Sequence, residues 1–568
     1  VSGGQRKPPG VWKQLGARSQ PESLGRRKQA GREVPEGSRI TVIGAGLAGL
    51  ASAALLARDG YRVTVLEKQP DVGGRAGTWE QDGFRFDTGP SWYLMPEVFD
   101  HFFKLLGTSS AERLDLSVLD PGYRVFFEGR DQPVDMRQDR GLNEKTFEQL
   151  EPGAGSKLGG YLDSAQETYE LAKKYFLYTS FASFRPLLTR EVLRGGPKLA
   201  RLLLEPLDSF AGRYVQDERL RQILGYPAVF LGSAPKLTPS MYHLMSHLDL
   251  DDGVLYPQGG FGRIIEAVRE LAEGAGASIL TGAEVTDILT ESRPGGKPRA
   301  FGIRYRDQHG ATHTLATDAV VSAADLHHTE TQLLPRALQT YPEQYWRRRV
   351  AGPGAVLVML GVEGKLPQLE HHSLLFTKDW DTNFGAIFGK QTRVPDPASI
   401  YVCKPSATDP GVAPEGHENL FILVPVPPDP SLGAGGINGA GDERIEAIAD
   451  AVIEQLSAWA GIDDLAGRIR LRRTVGPADF AADYNSWRGG VLGPAHVLKQ
   501  SAFLRGRNKS RKVGGLYYAG GTTIPGIGLP MCLISAEILL KRIRGDITTT
   551  ALAEPLLTSV SPGSGVVS

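Results

Sequence analysis

The run Arg39-Ile40-Thr41-Val42-Ile43, followed at once by Gly44-Ala45-Gly46-Leu47-Ala48-Gly49, limits this chain more than any other stretch. A β-branched apolar run of this kind reads as a buried parallel strand. The Ala/Leu-rich segment that follows reads as a helix to about Asp59, and Gly60 stops it. Residues 61–66 read as a second strand, which ends at Glu67. The whole is a β-α-β unit with a G-x-G-x-x-G turn. Gly44 permits the tight turn, Gly46 lets a pyrophosphate approach the backbone, and Gly49 lets helix pack on strand. The helix start offers free N–H groups and a positive dipole end to phosphates. Glu67 is placed to accept hydrogen bonds from ribose hydroxyls. The competing reading is a glycine-rich turn in an unrelated α/β protein.

Composition excludes several classes. Lys+Arg and Asp+Glu are both 64, so no global field draws the chain to nucleic acid, and none is expected as a partner. Only two cysteines occur, Cys403 and Cys532, far apart and in no C-x-x-C arrangement. That argues against a disulfide framework or a zinc site and for a reducing, cytoplasmic setting. No apolar stretch is long enough for a spanning helix. Residues 1–38 are rich in Gly, Arg, Lys and Pro without an apolar core, and are expected to be a disordered leader rather than a secretory signal. Residues 546–568 are expected to be a loose tail.

Between these ends, residues 142–252 read as helix-rich, and Gly253-Val254-Leu255-Tyr256-Pro257-Gln258-Gly259-Gly260 as a turn-rich hinge. A helix is expected over about 261–273, then a strand at Ser278-Ile279-Leu280. The runs 283–289, 300–306 and 319–322 suggest antiparallel strands returning to the nucleotide fold. Residues 355–362 and 420–425 read as strands of a second sheet. A Pro/Gly-rich loop over 427–442 precedes an amphipathic helix at about 443–459.

Asp71-Val72-Gly73-Gly74-Arg75-Ala76 extends the glycine fingerprint. Phe86-Asp87-Thr88-Gly89-Pro90-Ser91-Trp92-Tyr93-Leu94-Met95-Pro96 follows it. Near the other end stands Gly515-Leu516-Tyr517-Tyr518-Ala519-Gly520-Gly521-Thr522-Thr523-Ile524-Pro525-Gly526-Ile527-Gly528-Leu529-Pro530-Met531. With Tyr256-Pro257-Gln258-Gly259-Gly260-Phe261-Gly262, Thr408-Asp409-Pro410 and Val424-Pro425-Val426-Pro427, these stretches resemble the bacterial-type phytoene desaturases. These are carotenoid desaturases related to the flavin amine oxidases, and the resemblance runs from about 39 to 545. It implies FAD, with a Rossmann-like α/β FAD-binding domain in three parts (39–141, 253–330 and 501–545). It also implies an interleaved antiparallel-sheet substrate domain (331–500) and a helical region (142–252) facing a membrane where substrate enters. The implied cofactor contacts are Gly44, Gly46, Gly49, Glu67, Lys68, Gly74, Arg75, Gly89, Pro90, Ser91, Val285, Gly520, Gly521, Gly528, Pro530 and Met531. Arg75 would lie against the pyrophosphate, the backbone at Val285 against adenine, and the C-terminal turn against ribityl and isoalloxazine.

The activity implied is successive desaturation of a C40 polyene precursor, with one hydrogen leaving as hydride to the flavin and the other as a proton. Quinone or oxygen would take the electrons, and no second motif marks a pyridine nucleotide. The residues offer no convincing base: Arg185 and Asp249 lie in helical segments but read as surface charges, so the catalytic side chain stays unassigned. Alternatives on the same scaffold are a C30 diapophytoene desaturase, a desaturase of hydroxylated carotenoids, or a ketolase or oxygenase. An amine oxidase and a non-catalytic flavin protein stand further off. Residues 176–204 mix Phe176, Tyr178, Phe181 and Phe184 with Arg185, Arg190, Arg194, Lys198 and Arg201, which fits an interfacial surface or a helix packed on its own protein. Arg505, Arg507, Lys509, Arg511 and Lys512 fit either lipid headgroups or a solvated loop. The implied placement is cytoplasmic, on the inner face of the membrane. The adjacent pairs His327-His328 and His371-His372 are expected to point apart, and no metal is expected.

Overall fold

The computed structural model describes residues 31–183 and 185–556. The opening β-α-β unit forms as its sequence predicts, with strand Arg39–Ile43, helix Leu47–Arg58 and strand Arg62–Leu66. Every residue of the helix except Arg58 is buried, because the chain covers it again from two sides. Helices Gly262–Gly274 and Leu529–Arg544 pack against it.

These two strands are the centre of a five-stranded parallel sheet. Ser278–Leu280 pairs with the second strand, while Ala319–Ser322 pairs with the first and in turn with Leu516–Tyr518. The chain therefore leaves the nucleotide sheet and returns to it three times. The parallel pairing of Ala319–Ser322 corrects the antiparallel direction expected for that run. Its four residues are all buried, and a buried apolar run carries no mark of direction. Glu284–Glu291, Arg299–Arg306 and Thr312–Ala316 do form a separate antiparallel sheet.

The second large sheet has seven strands. At its centre Gly354–Glu363 and Ile400–Cys403 flank His417–Val426, all antiparallel, and His372–Phe376 adds to the Ile400–Cys403 side. Tyr123–Phe127 and Val134–Met136 complete that side of the sheet, although they lie within the stretch 39–141 expected to belong to the nucleotide fold. Helix Glu443–Ala460 covers one face, burying Ile445, Val452, Ile453 and Leu456. The helical region lies over the other, with Ala154–Ala172 running into one π-helical turn at Lys173–Leu177.

The ends of the chain are tied in further than expected. Val34 is 1% exposed, Glu33 pairs with Lys509 at 2.6 Å, and Arg32 pairs with the buried Asp59 at 3.1 Å. Lys541 donates to the Thr548 and Thr550 carbonyls, and Leu556 is buried. Order thus extends through 31–38 and 546–556. The remainder of the leader and tail expected from the sequence, and Phe184, lie outside the described residues. No described helix is long and apolar enough to cross a membrane.

Candidate functional site

A cavity of about 580 Å³ lies between the nucleotide sheet, the seven-stranded sheet and the helical region. Of the cofactor residues expected from the sequence, Gly44, Gly46, Glu67, Lys68, Gly74, Arg75, Gly89, Pro90, Ser91, Val285, Gly520, Gly521, Gly528, Pro530 and Met531 all line it. Gly49 does not. A Cβ there would stand 1.9 Å from the Gly44 carbonyl oxygen, so its role is the close packing of helix on strand.

The cradle has the chemistry a dinucleotide needs. Helix Leu47–Arg58 and helix Leu529–Arg544 both start at a glycine, without a side-chain cap. Their first-turn N–H groups are left for a ligand, at the positive end of each dipole. Gly46 bridges to Gly73, which brings the two glycine turns side by side. A Cβ at Gly89 would meet the Arg75 carbonyl oxygen at 2.0 Å, so the loop ending in Ser91 is held tightly against the Arg75 backbone. The Arg75 guanidinium donates to Ser486 Oγ at 2.8 Å and lies over the Tyr484 ring, while its Nε is buried with no partner. That orphaned donor fits an anion such as a pyrophosphate. Glu67 accepts from Ala45 N at 2.6 Å and Gln69 N at 2.9 Å, which fixes its carboxylate at the cavity wall with lone pairs to spare.

Stretches far apart in sequence hold this cradle together. Asp87 accepts from the N–H groups of Phe261 and Gly262 at 2.9 and 3.2 Å, and burial pushes its carboxyl up to about 6. Asp409 accepts from Gly259 N at 2.6 Å and from Tyr256 Oη. Arg505 is buried, not part of a headgroup-facing cluster. It donates to the Gly521 carbonyl at 2.7 and 3.1 Å and to the Pro494 carbonyl at 3.1 Å. Arg507, Arg511 and Lys512 of that cluster are exposed, and Lys509 is held by Glu33.

Beyond the cofactor residues the cavity wall turns apolar and aromatic, with Trp92, Tyr226, Phe230, Phe376, Trp380 and Tyr401. It reaches Phe176, Leu177, Phe181 and Ala502 at the edge of the helical region. Asp249 stands behind this wall. Expected at the surface from its charge, it is instead buried, accepts from Tyr226 Oη and from Tyr123 Oη at 3.2 Å, and burial pushes it up to about 7. Arg185, the other residue considered, is exposed.

The second histidine pair does not diverge as expected. His371 precedes the strand that begins at His372, so the two do not alternate as on regular backbone, and their rings meet at 4.6 Å and 74°. A ring nitrogen each of His371 and His372 and the Cys403 Sγ lie within 4.8 Å of one another, all buried. His371 Nδ1 bonds to Thr408 Oγ1 at 2.8 Å and His372 Nδ1 to Tyr401 Oη at 2.8 Å. Burial pushes the Cys403 thiol up to about 12 and holds His371 down to about 3.

The family described as flavin containing amine oxidoreductase matches residues 47–538, from just after the first glycine turn to beyond the last. The carotenoid 3,4-desaturase of Haloarcula japonica is 41% identical over 511 residues, covering 90% of this chain and 99% of that protein. The chain belongs to the flavin-containing amine oxidoreductases, in their carotenoid desaturase group. It is an FAD-dependent oxidoreductase acting on CH–CH groups. The zeta-carotene-forming phytoene desaturase of Myxococcus xanthus is 33% identical, covering 89% of this chain and 94% of that protein. An oxidoreductase of known structure from Methanosarcina mazei shares the fold at TM-score 0.54 and 18% identity, covering 89% of this chain and all of that one.

Proposed function

We propose that the chain introduces a double bond into a long acyclic carotenoid, and that 3,4-desaturation near the end of the polyene is the step it performs. The observation that carries this reading is the cavity, whose aromatic, apolar wall continues from the cofactor cradle to the protein edge. Such a wall suits a water-insoluble polyene. The relative at 41% identity bears that activity in its name. Desaturation of phytoene itself is the second reading, favoured by the relative from Myxococcus xanthus.

Bound FAD supplies a two-electron hydride acceptor. In this reading Glu67 and Lys68 meet the adenosine side, Val285 the adenine, and Arg75 with Gly44, Gly46 and Gly74 the pyrophosphate. Gly89, Pro90 and Ser91 lie beside the flavin ring, and Gly520, Gly521, Gly528, Pro530 and Met531 bring the dipole of the last helix to it. Substrate enters from a membrane surface. In support, Leu188 and Leu204 are 69% and 72% exposed, and the exposed Phe503 meets Phe181 of the cavity rim, with ring centroids 5.9 Å apart. Quinone or oxygen reoxidises the cofactor.

The test is expression in bacteria that accumulate either lycopene or phytoene, with pigments separated by chromatography. A product two hydrogens lighter than lycopene, with phytoene untouched, is the expected result. Conversion of phytoene would move the assignment to the second reading. Conversion of neither, by a protein that carries FAD, would sink both.

A further inference from the structure

Desaturation releases a proton as well as a hydride, and the sequence shows no base to receive it. The structure contains a hydrogen-bond chain that starts at the cavity and ends in the core. Ser91 Oγ and Tyr401 Oη are 2.5 Å apart, and Tyr401 Oη is 2.8 Å from His372 Nδ1. Ser91 and Tyr401 both line the cavity and keep 8% and 7% of their surface, whereas His372 has none. Ser91 directly follows Gly89 and Pro90, so the chain opens beside the proposed flavin position. His372 lies face to face with Trp92, ring centroids 4.6 Å apart and planes 12° from parallel.

We infer that Tyr401 and His372 receive the proton that leaves the polyene, with Tyr401 Oη as the atom at the substrate and His372 Nδ1 as the final acceptor. The inference rests on the desaturase reading above. In the step, one C–H bond breaks with its hydrogen and electron pair passing to bound FAD, which is reduced by two electrons. The C–H bond on the neighbouring carbon breaks as its electron pair becomes the new π bond. Its proton goes to Tyr401 Oη, and the phenol's own proton passes to His372 Nδ1. Ser91 donates to Tyr401 Oη and fixes its direction. The imidazolium returns its proton when FAD is reoxidised by quinone or oxygen.

Its place at the cavity favours this pair over Asp249, which is buried but does not line the cavity. An allylic cation is so strong a carbon acid that its partner must be free to accept rather than strongly basic. Burial, with His371 alongside, holds His372 well below the usual imidazole range, so its ring is neutral before the step and holds the proton only transiently. Asp249 is held up to about 7 and, in mildly acidic medium, already carries one. The flat face of Trp92 eases a transient positive charge on His372 through its ring quadrupole. His372 Nε2 is buried without a hydrogen-bond partner, so no carboxylate traps that charge.

Two measurements test the inference on the FAD-loaded full chain. Histidine ¹⁵N spectra, with His372 assigned by its loss in His372→Asn, should show a neutral ring with Nδ1 bare and Nε2 protonated. The Nδ1 signal should move in Tyr401→Phe. A proton resident on Nδ1 overturns the wire whether or not lycopene is a substrate. In the second measurement, flavin bleaching by lycopene or phytoene in phosphatidylcholine vesicles is followed without oxygen. Tyr401→Phe and His372→Asn are expected to keep FAD but bleach about 100-fold or more slowly, in the range of a lost general base. Deuterium at the carbon that loses the proton should slow both variants more than wild type. Bleaching at the wild-type rate, or a slow rate without that added isotope effect, refutes the inference. If wild type bleaches with neither carotenoid, the substrate reading fails and the spectra alone decide the wire.

Discussion

Asp249 shows how burial decides what a residue type does. Its carboxyl accepts from two phenol hydroxyls, and its Oδ1 has no hydrogen-bond partner. Removal from water favours the neutral form more than these bonds favour the charge, hence the rise to about 7. In the unfolded chain the same group ionises near pH 4. Between roughly pH 4 and 7 the folded protein therefore holds a proton that the unfolded chain has released, and this group's contribution to stability falls as pH rises through that window. Asp249→Asn cannot ionise. The variant minus wild-type difference in unfolding free energy, from denaturant melts at pH 5 and pH 8, should grow with pH by a few kcal/mol at most. Parallel curves would mean that Asp249 is charged in the fold. Neither this group nor the Ser91–Tyr401–His372 chain is legible in sequence, because their partners meet only through tertiary packing. His372 and Tyr401 lie on neighbouring antiparallel strands, and Ser91 is 310 positions from Tyr401. The glycines proposed to hold the cofactor stand out in the sequence because a tight turn and a close approach are encoded within a few residues.

At the scale of elements, strands and helices whose pattern is local stand where the sequence puts them. Helix Gly262–Gly274 and helix Glu443–Ala460 both keep their apolar stripe on the core. What composition misjudges is a charged cluster with one member turned inward. Arg505 is buried because three loop carbonyls need donors, those of Pro494, Gln500 and Gly521. It stitches the 494–500 loop to the glycine turn at Gly520 and Gly521, the proposed flavin side of the cradle. Burial lowers its guanidinium to about 10, still charged at any pH the fold meets. Arg505→Met keeps the bulk and removes the donors, leaving carbonyls unpaired at about 1–3 kcal/mol each. The expected result is a melting temperature several degrees lower and weaker FAD retention on gel filtration. Arg507→Met, at an exposed position of the same cluster, should leave both unchanged. An Arg505→Met protein as stable and as yellow as wild type would return Arg505 to the surface.

The whole molecule is organised by the three returns of the chain to one parallel sheet. The proposed cradle draws on residues 44–91 at one end, Val285 in the middle and residues 520–531 at the other, so a cofactor bound there would join segments far apart in the chain. The seven-stranded sheet has its own core and needs no such link. Loss of FAD should therefore loosen both ends of the chain together and spare that sheet. Ligand at about a hundred times its dissociation constant adds close to 2.7 kcal/mol to the state that binds it. The FAD-free partner for the comparison is Gly46→Val, whose branched side chain would stand against the Gly73 and Gly74 backbone, 3.8–4.0 Å from the new Cβ. Hydrogen exchange on the two proteins should show faster exchange at 45–50 and 520–533 to a similar degree, with Gly354–Glu363 and His417–Val426 unchanged. Loosening at the N-terminal turn alone would mean that the C-terminal turn does not share the cofactor. Uniform loosening would mean that the seven-stranded sheet leans on the cradle for its stability.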